Sequence, residues 1–231
     1  MAGSTFLSVL GGFNLSVSHR SIPLSSNAQR VLGFLAVSGS VQQRDVIAGQ
    51  LWPAATQDRA MANLRTALWR VRQASPRLVR ASRSAVGLEA VVRVDYNELG
   101  VRARRLLGGM ESTEDIVMLS HRPFEQDLLP EWDEEWLLLE RERYRQLRIR
   151  ALEALSVQLT SLGRYALAID VACAAIGAEP LHESAHAALI AAHLAEGNRA
   201  QARRQFDAYR DLLHRETGLS PSAELKSLVP R

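Results

Sequence analysis

The sequence predicts a mainly α protein with a small β component, built as two domains. Three observations predict it. Period-two alternation of apolar residues is confined to the N-terminus and to residues 78–94. Helical apolar spacing dominates the rest. The sign of the charge also changes along the chain. The 231 residues exceed one ordinary domain and suit two. A hydrophobic fraction of 47% and a charged fraction of 23% are globular values, which exclude disorder as the global state. The net charge of +3 conceals an asymmetry. Residues 1–107 carry 14 Arg and no Lys against 5 acidic residues, a balance of +9. Residues 108–231 carry 13 Arg and 1 Lys against 20 acidic residues, a balance of −6. The first half is therefore suited to a polyanion and the second is not.

The elements follow in order. Thr5–Leu10 and Phe13–Ser18 alternate around Gly11-Gly12 and read as a β-hairpin, with Ser21-Ile22-Pro23-Leu24 a short edge strand. Ser25-Ser26-Asn27 is a capping cluster for a helix over Gln29–Val37 ending before Gly39. Arg44–Leu51 is a second short helix, stopped by Trp52-Pro53. A third starts at Thr56 or Asp58 and reaches Ala74, with Pro76 beyond. Then come β-prone runs Leu78–Ala81, Ala85–Leu88 and Val91–Val94, joined by Ser82-Arg83-Ser84 and Glu89-Ala90. Strands, three helices and a strand hairpin make a winged helix with an N-terminal β-sheet.

The third helix carries the first functional signal. Ala60, Leu64, Ala67, Leu68 and Val71 form one apolar stripe. The other faces hold Arg59, Asn63, Arg65, Thr66, Trp69, Arg70, Arg72 and Gln73. A major groove admits such a helix, where Arg reads guanine and Asn or Gln reads adenine through paired hydrogen bonds. Arg80, Ser82 and Arg83 in the expected wing add phosphate-seeking groups. The plain alternative is a solvated basic face.

A basic amphipathic helix over Tyr96–Leu107 leads to Gly108-Gly109, the expected break between domains 1–107 and 108–231. Past an irregular lead-in from Phe124 to Pro130, a long helix is expected over Glu131–Ser161, with Trp132 and Trp136 one turn apart. Gly163, Tyr165 and Ala168 then open a repeat. A shift of 34 residues brings Gly163 onto Gly197 and Ala168 onto Ala202. That period marks an all-α tetratricopeptide-like domain, in which Gly permits the tight turn and Ala the close approach of paired helices.

Lone Cys173 excludes an internal disulfide and reads as a small buried side chain. No apolar run approaches the roughly 20 residues of a membrane span, and no secretory signal is expected. His182-Glu183-Ser184-Ala185-His186 is a literal HExxH, with His193 on the same face. Two His one turn apart can bind zinc while Glu polarises water. Against this reading, Pro180 places the motif at a helix start, and Leu189 and Ala192 occupy the extended motif's Gly and His positions. The residues read instead as packing positions, with no metal, no cofactor and no enzyme activity expected. The rival readings are a zinc metallopeptidase and a helical-repeat adaptor that does not bind DNA; the second leaves the +9 half without a purpose.

Several stretches together resemble the Streptomyces antibiotic regulatory protein family, a winged helix joined to a bacterial transcriptional activator domain. Leu10-Gly11-Gly12-Phe13, Arg44–Pro53 and Leu64–Arg72 resemble its DNA-binding half. Leu129-Pro130-Glu131-Trp132, Trp136, Glu140-Arg141, Gly163-Arg164-Tyr165, Pro180-Leu181-His182-Glu183 and Gly218–Ser222 resemble its activator half. The resemblance implies a cytoplasmic, nucleoid-associated activator of an antibiotic biosynthetic gene cluster. Its expected partners are double-stranded DNA carrying direct repeats, RNA polymerase holoenzyme, and a second copy of the chain as a homodimer or in tandem. The nucleotide-hydrolysing and phosphopeptide-reading modules of larger relatives are not expected.

Overall fold

The structure, a computed structural model, describes residues 4–119, 124 and 126–229. The chain divides into two compact units: residues 1–101 with 126–143, and residues 102–125 with 144–231. Segment 126–143, from the second half of the sequence, thus completes the first unit.

In the first unit, β1 (Thr5–Ser8) pairs antiparallel with β2 (Asn14–Val17), with Thr5 opposite Val17 and Leu7 opposite Leu15. Gly11 and Gly12 have φ of 73° and 143°, conformations that a side chain would strain. The third strand, β3, is Arg20–Ser21 rather than the expected Ser21–Leu24. Ile22 still donates its N–H to Leu15, but Pro23 has none to offer, so pairing stops there.

Helix α1 (Ser26–Ser38) is buried on every residue from Val31 to Val37 and ends at Gly39 with φ 64°. Helices α2 (Arg44–Leu51) and α3 (Gln57–Ala74) match their expected spans. Strands β5 (Val79–Ala81) and β6 (Ala85–Leu88) form the wing hairpin. Two features of the strands differ from expectation. Gln42–Gln43 forms a strand, β4, on the free edge of β6. Strand β7 (Val92–Val94) leaves the wing and pairs parallel with β1, giving the order β3-β2-β1-β7. Single-strand periodicity carries no information about which partner a run will choose. Asp95, the first residue of α4 (Asp95–Leu107), fixes this arrangement by accepting from Ser8 Oγ at 2.5 Å and Val9 N at 2.9 Å.

Segment 126–143 is strapped onto this unit. Gly11 donates to Asp127 and Leu129 donates to Val9, both at 2.8 Å. Trp132 stacks on Phe13 with ring centroids 5.8 Å apart and lies against Gly33, where a Cβ would stand 2.7 Å from the indole. Trp136 meets Phe34 edge-on, and Glu134 pairs with Arg30. The long helix α6 begins at Glu135 and runs to Ser161, so Trp132 precedes it rather than sharing it with Trp136. Arg141 holds the non-helical lead-in by donating to the carbonyls of Leu128, Leu129 and Trp132. Of the expected lead-in, Glu125 lies outside the described residues.

The second unit holds α5 (Thr113–Leu119), α7 (Tyr165–Ala178), α8 (Glu183–Ala195), α9 (Arg199–Thr217) and α10 (Ala223–Leu228). Gly163 and Gly197, with φ of 69° and 89°, turn the chain at the two corresponding points of the 34-residue repeat. Ala168 and Ala202 are fully buried where neighbouring helices close on them. Cys173 corrects the expectation: it is exposed. The buried stripe of α7 is Ala168, Val171, Ala172 and Ala175, and position 173 falls about 100° off Ala172 on the helix.

Candidate nucleic-acid interface

Helix α3 is two-faced. Ala60, Leu64, Ala67, Leu68 and Val71 are at most 5% exposed and pack on α1 and α2. Arg59, Asn63, Thr66 and Arg70 recur at i, i+4, i+7 and i+11, a spacing that keeps them on one ridge. Arg65, Trp69 and Arg72 form the adjacent ridge. Asn63 is half-buried, and the other six are exposed. Thr66 turns its hydroxyl back to the Ala62 carbonyl at 3.1 Å.

Trp69 is 53% exposed, and the Arg70 guanidinium lies 4.9 Å from its ring centroid. That stacking narrows the rotamers of both side chains on the outer surface. Among the described residues, Arg59, Arg65 and Arg72 have no hydrogen bond or ion pair. Surface arginines elsewhere in the chain do pair, as Arg93 with Glu98 and Arg210 with Asp207. A charge that the fold leaves unpaired remains available to an external anion.

The wing supplies a second cationic point. Arg80 and Arg83 are exposed and likewise unpaired among the described residues. Ser82 is committed to the turn itself: its Oγ accepts from Ala85 N at 3.0 Å, and its own N–H donates to the Ala85 carbonyl. The structure adds a residue that the sequence reading did not single out. Arg44, first in α2, donates Nε to the Ser82 carbonyl at 3.1 Å and its backbone N–H to the Ser84 carbonyl at 2.8 Å. The separation of 38 residues hid this contact, although Arg44 opens the Arg44–Pro53 stretch of the family resemblance.

The HExxH residues are spread over different tasks. His186 is 3% exposed and stacks on Tyr209 at 4.2 Å. Its Nε2 meets the Pro180 carbonyl at 2.9 Å, and its Nδ1 meets the Gln205 amide at 2.8 Å. A neutral ring with its proton on Nε2 satisfies both. Burial lowers the His186 pKa, opposed by the Pro180 carbonyl and Glu183. Glu183 accepts from the Ser222 backbone N–H and the Tyr209 hydroxyl. Burial and that carboxylate push the Tyr209 pKa up to about 12. His182 turns away to Glu153 at 3.0 Å. Among the described residues no group of three His, Cys, Asp or Glu is placed to hold a metal ion, and no helix is long and apolar enough to cross a membrane.

Residues 121–231 match the family model of the bacterial transcriptional activator domain. No curated protein matches the chain in sequence. Among solved structures, Mycobacterium tuberculosis EmbR in complex with a low affinity phosphopeptide is similar in fold, with a TM-score of 0.80 at 16% identity. The match covers 98% of this chain and 64% of the EmbR chain, so the chain spans less than two thirds of that relative. The matched domain belongs to transcription factors rather than to enzymes. With residues 121–231 a bacterial transcriptional activator domain, the chain is a bacterial transcriptional regulator, and its whole length has the fold of EmbR.

Proposed function

We propose that this regulator is a sequence-specific DNA-binding activator, with DNA recognition in residues 1–107 and the activator function in residues 108–231. The observation that carries the proposal is the outer face of α3, where Arg59, Arg65, Arg70 and Arg72 share the exposed surface with Trp69 and three of the four have no hydrogen bond or ion pair among the described residues. On this reading α3 enters the major groove. Asn63, Arg65, Thr66, Trp69 and Arg70 meet base edges or sugars, while Arg59, Arg72, Arg80 and Arg83 meet phosphates. Ser82 serves by shaping the wing. A charge of +9 over this segment supports the same partner.

The family resemblance extends the proposal. Two copies sit head-to-tail on promoter direct repeats in the cytoplasm and contact RNA polymerase holoenzyme, and the genes controlled are those of a secondary-metabolite cluster. No sustained heptad seam runs along α6 to impose a two-fold dimer. Half-site centres should therefore lie about one helical turn, 10–11 bp, or a multiple apart. Footprinting on DNA upstream of neighbouring genes tests this. Cooperative protection should vanish when one half-site is inverted or when about half a turn is inserted. Equal cooperativity on an inverted repeat would refute the tandem arrangement.

A further inference from the structure

Arg44 sits where α2, β4 and the wing meet. Strand β4 pairs Gln42 with Val86 and Gln43 with Ala85, and the Arg44 N–H continues that ladder to the Ser84 carbonyl at 2.8 Å. Its side chain then returns to the same turn, with Nε donating to the Ser82 carbonyl at 3.1 Å. The two carbonyls held by Arg44 are those on either side of Arg83. Ser82 closes the turn from within through its own bonds to Ala85. The Ser82–Arg83 and Ser84–Ala85 peptide units, one just before Arg83 and one a residue beyond it, are therefore fixed to the first residue of α2, while the Arg83 side chain itself is unpaired among the described residues and exposed.

We infer that Arg44 is the positioning residue of the wing, holding the Arg83 guanidinium at a set distance from α3 so that both meet the same DNA. This inference rests on the DNA-binding reading above. Without the Arg44 side chain the Ser82 carbonyl before Arg83 loses its donor, and an arginine on a looser tip must lose more freedom on binding. A charge held in place beforehand contributes more to binding because less order has to be imposed at that moment. The Nη groups of Arg44 make no hydrogen bond or ion pair among the described residues, so a direct phosphate contact by Arg44 is the alternative that the experiment must separate.

The test has two arms on the full chain. The first needs no DNA: trypsin cuts after Arg83, and the rate reports how often the wing tip opens. Arg44→Ala should raise that rate about fivefold, the scale of one lost hydrogen bond from a charged group, with the melting temperature little changed. An unchanged rate would overturn the brace whatever the protein binds.

The second arm measures operator affinity against salt for wild type, Arg44→Ala, Arg83→Ala and the double variant. Each single variant should weaken all sequences alike and lower the salt slope by about one ion, and the double variant should equal Arg83→Ala alone. Losses that multiply, with a slope lowered by about two, would make Arg44 a phosphate ligand and overturn the inference. Faster cleavage with wild-type affinity would also overturn it. Failure of the wild-type protein to bind any DNA would instead sink the reading beneath it, and the brace with it as a device for DNA.

Discussion

His186 shows how one residue can satisfy a catalytic motif by spelling and a packing role by chemistry. Both its ring nitrogens are engaged by Pro180 and Gln205, and its face is covered by Tyr209. The pKa shift gives this role a measurable sign. The folded-state value lies below the unfolded value of about 6.5, so below that pH the unfolded chain binds more protons than the folded one. Stability contributed by the neutral ring is complete above pH 6.5 and is lost as pH falls through the folded value. The urea midpoint should therefore drop between pH 7 and pH 5, and His186→Gln should flatten that part of the profile. An identical slope in the variant would place the acid sensitivity elsewhere. The motif was legible in the sequence. What makes it structural is the set of carbonyl, amide and ring neighbours from Pro180, Gln205 and Tyr209, and these become adjacent only in the fold.

At the scale of elements, the sequence was most informative where periodicity is local. The span of α2, the apolar stripe of α3 and the glycine turns at 163 and 197 all follow from spacing and caps within one element. It was least informative where two distant segments meet, as in the pairing of β7 with β1, the strand at Gln42–Gln43, and the strap over 126–143. Trp132 and Trp136 look like one helical face, yet Arg141 captures three carbonyls and keeps Trp132 outside the helix. Cys173 failed for a related reason, since most of α7 is small or apolar and only Asp170, one turn before Cys173, marks the outer side. The candidate interface was legible as a list of arginines but not as a wing braced from α2. The strap has its own test. Arg141→Ala should cost roughly 2–4 kcal/mol by urea denaturation, because three carbonyls lose a charged donor at once. Arg141→Lys should recover less than half, since an ammonium cannot reproduce the planar fork. A loss under about 0.5 kcal/mol would show that the strap is held by its tryptophans, its backbone bonds and the Arg30–Glu134 pair without Arg141.

Over the whole molecule, the charge is unevenly divided: +9 in residues 1–107 and −6 in residues 108–231. On the proposed reading, the first segment reads DNA through α3 and anchors through the wing. A charge balance can bind any polyanion, so the claim turns on the difference between base readout and phosphate contact. The most direct measurement is the affinity of the full chain for its footprinted operator and for a scrambled duplex, with Arg65→Ala, Arg70→Ala and Arg83→Ala compared at several salt concentrations. Loss of Arg65 or Arg70 should cost about 1–3 kcal/mol on the operator and much less on the scrambled duplex. Loss of Arg83 should weaken both duplexes alike and flatten the salt dependence. Operator binding at wild-type strength without Arg65 and without Arg70 would contradict the assignment of α3 as the reading helix.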